Sequence, residues 1–161
     1  MELPVAKRFA VLCQITRAQH FAWRRAVAEM APGVDPAAVV RRMWEITGVD
    51  TAQAYARRLR AGPGLAAEFA RSIVWSSQCM GEDAHVEQEG EVAYVRHDAC
   101  PWPEWHARAG CLAEDRPGCD AWFQSAVDEV NRALGTKLEV ETLSSLPEGG
   151  TCCRRRIAVA R

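Results

Sequence analysis

The chain has 161 residues, 48% hydrophobic and 25% charged, with a formal net charge of −1. That length fits one domain with a full core, and the near-zero charge supplies no bulk field for nucleic acid or anionic lipid. No apolar run approaches a membrane span, and the short "FAVLCQI" stretch behind Lys7 and Arg8 lacks the small-residue cleavage site of a signal peptide.

The expected location is therefore the cytoplasm, where structural disulfides are rare. Seven cysteines, an odd count, then point to ligands, nucleophiles, sensors or core thiols rather than a paired framework.

In chain order, "TRAQHFAWRRAVAEMA" places Phe21, Val27 and Met30 at helical spacing, with Thr16 as N-cap. "APGV" ends that helix. "DPAAVVRRMWEITG" carries the strongest helix signals, with Asp35 at the N-cap, Pro36 at the first helical position and Gly48 just past the end. Its predicted buried face is Val39, Val40, Met43, Trp44 and Ile46. "DTAQAYARRLRAG" predicts a third helix, capped by Asp50 and stopped by Gly62. "LAAEFARSIVWSSQCM" predicts a fourth, with Leu65, Phe69, Ile73 and Val74 facing inward.

The second half changes period. "HVEQEGEVAYVRH" alternates apolar and polar residues around Glu89-Gly90 and reads as a β-hairpin. "PWPEWHARAG" reads as a short helix, because Pro101 and Pro103 are tolerated only in a first turn, and Gly110 stops it. "CLAEDRPG" reads as a loop, and "CDAWFQSAVDEVNRALG" as a helix with Trp122, Phe123, Val127, Val130 and Leu134 apolar. "KLEVETLSSL" and "TCCRRRIAVA" alternate and read as strands joined by a turn at "PEGG". The expected fold class is α+β in a single domain, residues 1–161. A helical half (1–81) packs with a sheet half (82–161) that holds a small antiparallel sheet and two further helices.

This layout puts Cys100 where a strand runs into a helix and Cys119 at the start of the next helix. Helix N-termini lower thiol pKa values, so both are predicted thiolate-prone. Neighbours on a strand point to opposite faces, so only one of Cys152 and Cys153 can join them. The spacing is not that of a zinc ribbon: there is no C-x-x-C and no H-x-x-x-H. Cys13 and Cys79 read as core and Cys111 as loop filler, while His20 and His85 read as surface or satisfied residues.

His97 precedes Cys100 by an odd offset and would face away from it in a continuous strand. His106 reads either as an exposed helix residue or as a partner for the cysteines. Trp102, Trp105 and Trp122 either wall a pocket for a flat ligand or cover the core. The run Arg154–Arg156 reads as a solvated face, except that Arg155 shares a strand face with Cys153 and there is placed to hold a substrate carboxylate.

Three segments, "ACPWPEWHARAG", "GCDAWF" and "LSSLPEGGTCCRRRI", resemble the L-2-amino-thiazoline-4-carboxylic acid hydrolase family over roughly residues 95–158. The matching positions are Cys100-Pro101, Gly110, Cys119, Gly149-Gly150 and Cys153; Trp122 and Arg154 stand where the family often carries Asp. The resemblance implies a ring-opening hydrolase acting on a cyclic amidine or thiazoline carboxylate. Two mechanisms fit. In one, Cys100 or Cys119 is a thiolate nucleophile with His106 as acid/base and Arg155 anchoring the carboxylate. In the other, Cys100, Cys119 and Cys153 hold a divalent transition metal such as zinc, with water in the open position. The alternative reading is a non-catalytic metal- or small-ligand-binding module using the same cysteines. The expected partner is a small molecule, not nucleic acid or membrane, with self-association through the helical half.

Overall fold

The computed structural model describes residues 2–160. Three helices come first: α1 (Val5–Met30), α2 (Pro36–Ala56) and α3 (Leu65–Cys79). A hairpin follows, β1 (Asp83–Glu89) and β2 (Val92–Ala99), then α4 (Trp102–Arg108), α5 (Asp115–Leu134), β3 (Leu138–Ser144) and β4 (Cys153–Val159). The strands form one antiparallel sheet in the order β1-β2-β4-β3, so the fold is α+β with its helices mostly N-terminal.

The N-terminal boundaries differ from the sequence expectation. Thr16 is not a cap: α1 already begins at Val5, and the Thr16 hydroxyl donates back to the Leu12 carbonyl, 3.0 Å away. Asp35 does cap α2, accepting from the Ala37 amide at 3.0 Å, with Pro36 behind it. Gly48 does not end that helix, and Asp50 does not start another. One helix runs through both positions, so three helices precede the sheet, not four. Gly48 is there for clearance: a Cβ would lie 2.6 Å from the Trp122 carbonyl oxygen of α5. Of the buried face expected for α2, Val40 is enclosed while Ile46 is exposed.

The core lies between the sheet and the helices. The face of α3 built from Leu65, Phe69, Ile73 and Val74 is buried as expected, and so are Phe123, Val127 and Val130 of α5. From the sheet, Ala84, Ala93, Val95, Leu138 and Ile157 join the same cluster. Cross-strand register fixes which other side chains share that inner face. Ala93 pairs with Ile157, Val95 with Arg155, and His97 with Cys153. Arg154 falls on the outer face, where it pairs with Glu87 at 2.8 Å and stacks on Tyr94 at 3.8 Å. No described helix is long and apolar enough to cross a membrane.

Candidate functional site

Beyond the apolar core, the inner face ends in a cavity of about 410 Å³ between α2, α3, α5 and the sheet. That volume is in the range of small-molecule sites. Its walls include Trp44, Ile73, Trp102, Trp122 and Phe123, and all three of Cys100, Cys119 and Cys153 line it. Arg155, His106, His97, Glu82 and Asp115 line it too. Trp105 stays outside the lining and stacks on Phe21, with ring centroids 6.1 Å apart.

Burial opposes thiolate formation at all three cysteines. Cys100 does receive a hydrogen bond from the Trp102 amide at the head of α4, as a helix N-terminus provides. Burial outweighs it, and the Glu82 carboxylate adds to burial, so the thiol is pushed well above its ordinary range. Cys119 is not at a helix start, because "CLAEDRPG" is not a loop. Residues Leu112–Glu114 form a 3-10 turn and α5 begins at Asp115, which puts Cys119 beyond the first turn. Its thiol is enclosed although the residue as a whole is half-buried, and burial pushes it up to about 12 against the pull of Arg155. Burial also raises Cys153, whose Sγ accepts from the Leu146 amide at 3.2 Å.

The three thiols share a wall without forming a ligand set. Among the described residues no group of three or more His, Cys, Asp or Glu side chains is placed to hold a metal ion. The expectation of a zinc-like ion on Cys100, Cys119 and Cys153 finds no support in this donor geometry.

The histidines hold most of the polar detail. His106 is not an exposed helix residue: it is 3% exposed. Its Nδ1 lies 3.0 Å from the Trp102 carbonyl and 2.9 Å from Asp115 Oδ2. The single hydrogen aligns with the carbonyl, so Asp115 Oδ2 is left buried with no donor. His97 turns Nε2 to the Ser77 hydroxyl at 3.0 Å and to Glu82 Oε2 at 3.1 Å, and its Nδ1 is buried without a partner. Glu82 also accepts from Trp102 Nε1 at 3.0 Å. Arg155, 2% exposed, lays its guanidinium over the Phe123 ring at 4.4 Å. It donates from Nη2 to Asp120 at 3.4 Å, while its Nε is unpartnered.

Next to the cavity, His20 sits among the rings of Phe21, Trp44 and Trp102 rather than on the surface. Cys79, expected in the core, is exposed, whereas Cys13 and Cys111 are buried.

Sequence reasoning missed Glu82, Asp115 and Ser77 and set His97 aside. Asp115 carried a usable signal: Pro117 two residues on is the residue a first helical turn tolerates, so "EDRP" marks a helix start. His97 is found through register. It faces Cys153 across the β2–β4 ladder, whatever its offset from Cys100.

No family model matches the chain, and no curated protein matches it. The solved structures do contain similar folds. The phenol-responsive sensory domain of the transcription activator PoxR, determined with phenol, superposes with a TM-score of 0.52 at 16% identity, covering 88% of this chain and 73% of that one. A trafficking protein particle complex subunit 3 from Naegleria fowleri, covalently bound to palmitic acid, gives a TM-score of 0.52 at 14% identity, covering 94% and 97%. These likenesses establish a shared helix–sheet fold. None of them names the thiazoline hydrolase family.

Proposed function

We propose that the chain is a binding module for a small, largely apolar organic molecule held in the inner cavity. The observation that carries this reading is a set of buried, unpartnered polar atoms on residues of an otherwise aromatic wall. His97 Nδ1, Asp115 Oδ2 and Arg155 Nε all belong to lining residues. Buried polar atoms are rarely left unpaired in a folded protein, and a few convergent polar groups in an apolar cleft are the usual composition of a ligand site. Binding is favoured over nucleophilic catalysis because Cys100 and Cys119 are held protonated. The two similar structures named above are each described with an organic molecule, phenol in one and palmitic acid in the other, which agrees with this use of the fold.

Tryptophan fluorescence tests the reading, since Trp44, Trp102 and Trp122 line the cavity. Titration with phenol, 2-naphthol and decanoate is expected to give a saturable change with at least one of them. Thr51→Trp, which fills the cavity from α2, is expected to abolish it with the circular dichroism spectrum unchanged. No saturation with any probe, or equal binding in the filled variant, overturns it.

One observation favours a second reading, ring-opening hydrolysis of a thiazoline: the His106–Asp115 pair at 2.9 Å, beside Cys100 in the same cavity. There the imidazole, held by the Trp102 carbonyl, would take the proton of a water adding to the carbon between ring nitrogen and sulfur and pass it to the ring nitrogen as the C=N π bond opens; the hydroxyl proton of that adduct would then move to sulfur as the carbonyl forms and the C–S bond breaks. Turnover of 2-aminothiazoline-4-carboxylate that vanishes in His106→Gln would establish it, and no turnover by the wild type would end it.

A further inference from the structure

We infer, building on the binding role proposed above, that the molecule held in the cavity is a monocarboxylic acid whose carboxylate rests on Arg155. A buried guanidinium is strongly disfavoured unless it is well paired. Arg155 is 2% exposed, yet its carboxylate partner is Asp120, met through one long contact of 3.4 Å. Asp120 is 38% exposed and is already engaged by the Thr142 hydroxyl at 2.7 Å and by Arg116 at 3.2 Å. Its charge is shared and screened by solvent, so it compensates Arg155 only in part. Among the described residues, the Nε–H of Arg155 has no hydrogen-bond acceptor.

The other charged groups of the cavity leave this position to an anion. Glu82 lies 3.1 Å from His97 and Asp115 lies 2.9 Å from His106, and neither carboxylate pairs with Arg155, whose carboxylate contact is Asp120. Among the described residues, Arg155 is the one arginine or lysine that lines the cavity. The flanking thiols of Cys119 and Cys153 are protonated, so neither supplies the missing charge. A carboxylate meets the requirement, because its two oxygens match the planar fork of a guanidinium edge. A dianion does not, since Glu82 and Asp115 share the same walls. Trp44, Ile73, Trp122 and Phe123 remain for an apolar body of one or two rings or a short alkyl chain.

The experiment compares matched pairs by fluorescence titration or calorimetry: benzoate against benzyl alcohol, and 2-naphthoate against 2-naphthalenemethanol. Wild-type protein is expected to bind each acid about tenfold or more tightly than its alcohol, the ratio of one charge-assisted hydrogen-bonded pair. Arg155→Met is expected to erase that ratio while leaving the alcohols bound. Asp120→Asn, at a partly exposed position, is expected to tighten acid binding severalfold by releasing the guanidinium. Alcohols binding the wild type as tightly as acids would overturn the inference while leaving the binding role intact. Persistence of the acid preference in Arg155→Met would do the same. If neither acids nor alcohols bind the wild type, the binding role fails and this inference fails with it.

Discussion

Gly48 on α2 lies against Trp122 on α5, and the contact is reciprocated: Gly118 on α5 lies against Trp44 on α2. A Cβ at Gly48 would come within 2.6 Å of the Trp122 carbonyl oxygen, and one at Gly118 within 2.8 Å of Trp44 Cδ1. Two glycines thus set how closely the helices approach, and both tryptophans they admit are walls of the cavity. The distance between α2 and α5 is therefore also a dimension of the site.

Gly48→Ala is the direct test of that coupling. The obstruction is backbone, which cannot rotate away as a side chain can. Alanine gains about 1 kcal/mol of helix propensity over glycine, but overpacking of this kind costs about 1–3 kcal/mol. The expected outcome is a net loss of stability in urea unfolding, together with weaker ligand binding as Trp122 shifts. A variant as stable as the wild type, with unchanged binding, would show that the helices are not held at this distance.

Asp115 is expected to matter both for folding and for ligand. It is buried beside His106, with Oδ2 lacking a donor. Asp115→Ala removes the carboxylate from the imidazole and is expected to cost about 1–3 kcal/mol. Hydroxyl-bearing ligands such as phenol are expected to lose more affinity than toluene, because only the hydroxyl can donate to Oδ2. Parallel losses for both would place Asp115 outside ligand contact.

The buried thiols make stability fall in alkali. Cys119 stays protonated in the fold up to about 12, and Cys100 is also raised, first by burial. In the unfolded chain a thiol ionises near about 8.5. Above that pH the native state binds more protons than the unfolded state, so stability declines as pH rises, by at most about 1.4 kcal/mol per unit per thiol. Urea midpoints at about pH 7.5 and about pH 10 measure it, and Cys119→Ala is expected to flatten the slope. In native-state alkylation Cys79, which is exposed, is expected to react first. Fast, selective labelling of Cys100 or Cys119 would contradict the protonated assignment.

His20 has the opposite dependence, on the acid side. Burial first, then His106 and Arg24, lower it from 6.5 to about 4. The folded state keeps the ring neutral while the unfolded state takes up a proton. The unfolded state therefore binds more protons in that window, and stability is present above about 6.5 and lost as pH falls towards about 4. His20→Phe keeps an aromatic ring against Trp44 and Trp102 and is expected to lessen the drop in melting temperature on acidification. An unchanged acid profile would mean that the ring is not held neutral.

Much of this was legible in the sequence where the signal is local. Asp35 and Pro36 mark the start of α2, and the alternation in "TCCRRRIAVA" puts Cys153 and Arg155 on one face with Arg154 on the other. Those readings depend on a cap or a two-residue period, each complete within a few residues. Gly48 misled because a glycine after an apolar run is equally the mark of a helix end and of a close helix crossing. Cys119 misled because a helix start displaced by four residues changes a thiol at a helix N-terminus into one past the first turn.

By itself, then, the sequence determined the α+β class, the hairpin, the amphipathic faces of α3 and α5, and the strand parity that puts Cys153 and Arg155 on one face. Tertiary structure alone decided that residues 82, 97, 100, 106, 115, 119, 153 and 155 meet around one cavity. It also decided that burial raises the thiols there and that Arg155 lacks a full partner. The reason is physical: helical and strand periods are properties of neighbouring residues, whereas desolvation and charge pairing depend on groups that approach only once the chain has folded.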